Sequence, residues 1–155
     1  MRRILHFLGS TAFTGMFPFA PATVSTAFLL LLLIVFQPGA TDLRLYTLIA
    51  LFISVPIASR MEADYGKDPS ECTIDEVAGF LLPLALLGVD LSTAGIWRLL
   101  IVAFFLFRFF DIAKVWPGKR LEGLPSGWGI VADDLMAGIY TFLSLKILSL
   151  WIPWI

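Results

Sequence analysis

The sequence predicts an all-α, polytopic integral-membrane helical bundle, with about five spanning helices behind an N-terminal interfacial helix. Three observations carry that expectation. The 155 residues are 59% hydrophobic and only 15% charged, and the mean hydropathy is +0.89, far above what a soluble domain of this length needs. Five apolar runs are punctuated by Pro, Gly and charged residues. Lys and Arg crowd into alternate connections. No internal repeat or low-complexity tail divides the chain, so residues 1–155 read as a single membrane-embedded domain.

In MRRILHFLGSTAF, Arg2 and Arg3 imitate the charged start of a signal peptide, and Ala20 and Ala22 imitate a cleavage site. The apolar core is brief, however, and His6, Gly9, Ser10 and Thr11 interrupt it. An interfacial or half-buried first helix is expected instead. MFPFAPATVST follows, bent by its two prolines. The apolar runs are then Phe28 to Phe36, closed by Gln37, Pro38 and Gly39; Leu45 to Ser59, with Pro56 near its end; Thr73 to Val89; Ile96 to Phe110; and Leu135 to Ile152. Several fall short of the ~20 residues that span a bilayer comfortably. Each spans only if its polar end counts toward the length.

Orientation follows from the cations. Arg2, Arg3, Arg60, Lys67, Arg108, Lys114, Lys119 and Arg120 fall on one side, against Arg44 and Arg98 on the other, which predicts a cytoplasmic N-terminus. Five spans place the C-terminus outside, with Trp151 and Trp154 as an interfacial belt. All the acids except Asp42 and Asp90 then lie on the cytoplasmic side. Lys146, inside the last run, reads as a snorkelling or bundle-facing residue.

The chemistry gathers at the cytoplasmic helix ends. On a helix running to about Trp116 and stopped by Pro117, Arg108, Asp111 and Lys114 share one face. After Pro125, Ser126 and Gly127, another helix opens near Gly129 and carries Asp133 and Asp134 into an apolar segment. In DPSECTIDEVAG, Asp68 suits an N-cap, Pro69 the first helical position and Glu71 the capping-box position. Asp75 and Glu76 then lie two turns further in, and Glu71 and Asp75, four apart, would repel each other as bare carboxylates. An acid within the membrane costs ~2.5 to 3.5 kcal/mol on insertion scales.

Two acidic groups at one face suggest a single shared site with Glu71, Asp75, Glu76, Asp133 and Asp134 as candidate metal ligands. An oxygen-only set without clustered His or Cys suits Mg²⁺. A plainer account leaves these acids as solvated helix ends paired with Arg108, Lys114, Lys119 and Arg120. Gly79 and Gly138 would let helices approach closely, as in ordinary small-residue packing. His6 is the sole histidine and reads as structural, and Cys72, the sole cysteine, excludes an internal disulfide. Nucleic-acid binding is not expected, because no basic face is free of acids.

Several phosphate chemistries are excluded by absence. A cysteine phosphatase loop needs Arg six residues after its Cys, where this chain has Ala78. The P-S-G-H signature of type 2 phosphatidic acid phosphatases meets Trp128 in place of its histidine. The D-x-D of haloacid-dehalogenase phosphatases and the D-G-x2-A-R of lipid alcohol transferases are missing too.

Three blocks in order resemble the phosphatidylglycerophosphatase A family. PFAPATVST resembles P-x-x-P-G-T-x-G-S; DPSECTIDEVAG resembles D-P-S-E-x-x-x-D-E-x-x-G; and FRFFDIAKVWPGKRLEGLPSGWGIVADDLMAG resembles F-R-x-F-D-x-x-K-P-x-P followed by G-x-G-x-x-x-D-D-x-x-A-G. Together they cover about a third of the chain. Ala22, Ser25 and Thr26 depart from the family's Gly, Gly and Ser, Val115 replaces a proline, and Ser126 replaces one glycine of a pair.

The resemblance implies a multi-pass enzyme of the bacterial cytoplasmic membrane. With Mg²⁺ it would remove the terminal phosphate of phosphatidylglycerophosphate, its phospholipid substrate, to give phosphatidylglycerol. The family's acids carry over to Glu71, Asp75, Glu76, Asp111, Asp133 and Asp134, and its bases to Arg108 and Lys114. In this reading Asp75, Glu76, Asp133 and Asp134 hold the metal, and Arg108 and Lys114 bind phosphate oxygens. Asp111 ligates or orients, Thr23 and Ser25 donate hydrogen bonds, and Lys119 and Arg120 attract anionic lipid. A different class remains open on the residues alone, a non-enzymatic cation-binding membrane protein, either a transporter or an inactive relative.

Overall fold

The computed structural model describes residues 2–152, with side chains from Arg3 onward. Trp154, half of the expected aromatic belt, lies outside the described residues, while Trp151 is 81% exposed. Among the described residues every regular element is helical. The order is α1 (Arg2–Gly9), a 3-10 turn (Thr14–Met16), α2 (Pro21–Phe36), α3 (Ala40–Tyr65), α4 (Ile74–Leu87), α5 (Trp97–Ala113), α6 (Gly118–Leu121) and α7 (Gly127–Ser149).

The punctuation that bounds these helices is mostly local. Pro21 opens α2 at a position where a missing N–H is harmless, and Gln37 closes it in the left-handed region, its N–H returning to Leu33 O. Gly66 ends α3 and Gly88 ends α4, both at positive φ. The long helices α2, α3, α4, α5 and α7 alternate in direction. At one end the Leu91 N–H donates to Pro38 O, tying the α4–α5 connection to the α2–α3 turn. At the other, the Thr73 N–H donates to Gly9 O and the Gly127 N–H to Ser59 Oγ. Asp42, Arg44 and Asp90 thus belong to the first end, and the acid-rich segments to the second.

Close backbone approach at glycine sets the centre of the bundle. A Cβ on Gly79 of α4 would stand 2.8 Å from Asp134 O, and one on Gly138 of α7 only 2.5 Å from Gly79 O. Larger residues there would force the two helices apart. Phe80, Leu84, Leu100, Phe107 and Leu145 fill the core around this crossing, and a second cluster of Ile57, Met61, Cys72, Ile74 and Val131 lies toward the acid-rich end.

Among the described residues one helix, α3, is long and apolar enough to cross a membrane by length and composition. Its 26 residues extend about 39 Å at the α-helical rise. α2 is a shorter apolar helix of 16 residues.

Several expected boundaries shift. Asp68 does not cap α4: it has φ 49°, residues 70–71 form a turn, and the helix starts at Ile74 with Thr73 before it. Asp75 and Glu76 are therefore in the first turn, not two turns in. Glu71 stands outside the helix, so the expected four-residue repulsion with Asp75 does not arise. α5 ends at Ala113, with Lys114 left-handed at φ 44°, instead of running to Trp116. The short α6 was not expected, and α7 opens at Gly127, where its first turn presses on the α3 backbone at Val55 and Ser59.

Candidate functional site

Three helix ends deliver the charged side chains to one place. The first turn of α4 presents Asp75 and Glu76, the last turns of α5 present Arg108 and Asp111, and the second turn of α7 presents Asp133 and Asp134. The Gly79–Gly138 crossing lies one turn beyond these acids on both α4 and α7, so it fixes the distance between them. Carboxylate oxygens of Glu76, Asp111 and Asp134 all lie within 4.8 Å of one another.

Arg108 ties two of these acids together. Its Nη1 donates to Glu76 Oε2 at 2.6 Å and its Nη2 to Asp111 Oδ2 at 3.1 Å. Thr26, only 1% exposed, donates to the same Glu76 oxygen at 3.2 Å. Asp134 is 3% exposed, yet its Oδ2 has no hydrogen-bond partner, and neither does Asp75 Oδ1 or Asp133 Oδ1. Buried carboxylate oxygens without a donor are costly. One positive charge cannot balance three neighbouring carboxylates, so the centre has the charge and the spare oxygen ligands to hold a hard divalent cation.

Lys114 serves the outer edge. From its left-handed position it bonds Glu122, and it reaches Asp133 Oδ2 at 3.2 Å. Burial alone would lower its pKa, but the Glu122 hydrogen bond and the Asp133 charge outweigh that and hold it above the ordinary lysine value. A cavity of about 90 Å³ opens beside this pair, with Glu62, Lys67, Asp68, Glu122, Ser126 and Asp133 in its lining.

The remaining expected site residues are spread more widely. Glu71 is half-buried outside the three-carboxylate group, its carboxylate 3.5 Å from the Ser70 hydroxyl. Thr23 is half-buried in the first turn of α2. Ser25 is fully buried, its hydroxyl bonded to Thr14 at 2.8 Å and Thr73 at 3.0 Å. Lys119 and Arg120 are exposed on α6. Cys72 is buried, and burial, aided by the Asp75 charge, pushes its thiol well above the ordinary value, as expected of an inert residue. His6 stacks edge-on against Tyr65 and bonds its hydroxyl.

Sequence reasoning missed Thr26 as a partner of Glu76, Glu122 as a partner of Lys114, and the hydroxyl web of Thr11, Thr14, Ser25 and Thr73. One signal was available: T-I-D-E at 73–76 is itself a capping-box pattern. Nothing local announces Glu122.

The fold and site together define a helical bundle with a carboxylate centre suited to a cation at one end, flanked by an arginine and a lysine. The chain belongs to the phosphatidylglycerophosphatase A family, whose profile matches residues 7–149, and it is a phosphatase. It is 33% identical over 147 residues, covering 90% of both chains, to a Bacteroides thetaiotaomicron protein provisionally named a phosphatidylinositol-3-phosphatase. It is 31% identical over 115 residues to a Haemophilus influenzae phosphatidylglycerophosphatase A, covering 73% of this chain and 68% of that one. No solved structure matches.

Proposed function

We propose that this protein hydrolyses the terminal phosphate of phosphatidylglycerophosphate to give phosphatidylglycerol, with Mg²⁺, at the cytoplasmic face of the bacterial inner membrane. The observation that carries this reading is the buried meeting of Glu76, Asp111 and Asp134 beside Arg108. The unpartnered oxygens of Asp134 and Asp75 make the site suited to a cation. Glu76, Asp111 and Asp134 would hold Mg²⁺, with Asp75 and Asp133 beside them as further ligands or proton acceptors. When bound, the metal would polarise the phosphate and lower the pKa of attacking water.

The chain's own residues do the rest. Arg108 binds two phosphate oxygens through its planar fork, and Lys114 supplies a point charge near the mouth. Thr26 holds Glu76 in register. Ser25 acts through Thr73 by steadying the start of α4, while Thr23 stays available to the substrate. Lys119 and Arg120 favour approach of anionic lipid.

Five crossings fit this chemistry. The alternating helices place both acid-rich connections at one end, and Phe52, Phe105, Phe109 and Ile147 point outward, each at least 60% exposed, as lipid-facing residues would. The site then lies at headgroup depth, not at the midplane where transporters bind. A second substrate is favoured by one finding, the provisional phosphatidylinositol-3-phosphatase name of a relative matched over nearly all of both chains. Phosphate release by purified protein from phosphatidylglycerophosphate and phosphatidylinositol 3-phosphate, side by side, decides between them. Preference for phosphatidylglycerophosphate is expected. Release from the inositol lipid alone would overturn the assignment.

A further inference from the structure

Arg108 enters the site with both terminal nitrogens already paired to carboxylates. Its Nη1 and Nη2 are committed to Glu76 and Asp111, inside a side chain only 11% exposed. Its remaining nitrogen, Nε, is buried without a partner. A carboxylate and a phosphate present the same paired acceptors to a guanidinium. Glu76 and Asp111 each engage one terminal nitrogen and so compete with a phosphate for the paired face of the fork. Both also belong to the carboxylate group completed by Asp134, whose Oδ2 is buried and unpartnered.

We propose that Glu76 and Asp111 are internal competitors for Arg108, so that phosphate gains the guanidinium only as these carboxylates turn to a divalent cation. This rests on the function proposed above and deepens it to an order of binding, cation before phosphate. Exchange of partners is the electrostatically cheap route. A buried guanidinium stripped of both carboxylates would be left uncompensated, whereas one that passes to a phosphate dianion is not. The apparent phosphate affinity is the intrinsic one scaled by the fraction of time Arg108 is free. By linkage, cation and phosphate strengthen each other by the same factor.

The test is binding of radiolabelled inorganic phosphate to the full chain in detergent, by equilibrium dialysis, with Mn²⁺ and in EDTA. Wild-type protein is expected to bind about tenfold or more weakly in EDTA. Glu76→Gln with Asp111→Asn should bind phosphate in EDTA, and adding Arg108→Gln should abolish that gain. Because the pair removes both partners of a buried charge, Asp111→Asn alone is measured beside it. It keeps the Glu76 bond and should show a smaller gain, again dependent on Arg108. In protein shown to bind Mn²⁺, equal wild-type affinity with and without Mn²⁺ would overturn the proposal, as would no gain in folded Asp111→Asn, or a gain that survives Arg108→Gln. Mn²⁺ binding, read by paramagnetic resonance, is a separate arm. A wild-type protein that binds no Mn²⁺ would overturn the metal reading of the function, while the EDTA arms judge the competition for Arg108 by themselves.

Discussion

Arg108 and Lys114 are two cations on one stretch of chain, and the structure gives them different tasks. Arg108 is held by two carboxylates at the centre, while Lys114 bridges Glu122 and Asp133 at its edge. The Arg108–Asp111 pairing was legible from three-residue spacing on a helix. Glu122 as a partner of Lys114 was not, because the helix ends one residue before the lysine in a left-handed turn that no glycine announces. Arg108→Lys keeps the charge but loses the fork. If each charged hydrogen bond contributes ~1.5–3 kcal/mol, kcat/KM for lipid phosphate hydrolysis should fall about 10- to 100-fold. Steady-state kinetics then divides the loss: a fall in kcat marks contact with charge developing in the transition state, and a rise in KM marks substrate holding. Cys72→Ala should retain turnover in the same assay, since its thiol is buried and lies outside the carboxylate group.

At the scale of the helix, α4 shows why local signals misplace a boundary. Asp68-Pro69 and Thr73-x-x-Glu76 are overlapping start signatures, and the chain uses the second. Neither capping side chain serves the helix end. The Thr73 hydroxyl joins Ser25 and Thr11, and Glu76 turns to Arg108. Tertiary partners have claimed both, which a pattern read from sequence cannot show. Gly79 and Gly138 were legible as small residues but not as mutual partners, because only the folded crossing brings them together. Gly138→Ala puts a Cβ 2.5 Å from the Gly79 carbonyl, an overpacking that should cost ~1–3 kcal/mol. It should lower both the thermal unfolding midpoint and kcat/KM by separating Asp134 from Glu76. Gly118→Ala is the control: its Cβ would meet nothing closer than 4.0 Å, and both quantities should stay near wild type.

The whole molecule is an apolar bundle whose polar chemistry is confined to one end. That class was legible from composition, since a chain 59% hydrophobic cannot bury all its apolar surface within itself. The five expected spans find less support in helix length. α4 has 14 residues and α5 has 17, and among the described residues α3 alone has the length and composition of a crossing helix. If five helices cross, cysteines introduced at Ser92 and Lys119 should be labelled from opposite sides in intact cells. Labelling of both from one side would remove the five-span arrangement. The central claim, a carboxylate centre that works through a divalent cation, is tested most directly by phosphate release from phosphatidylglycerophosphate after EDTA treatment, as Mg²⁺ is titrated back. The account predicts no turnover in EDTA and saturable recovery with Mg²⁺, both lost in folded Asp134→Asn. Undiminished release in EDTA would contradict it.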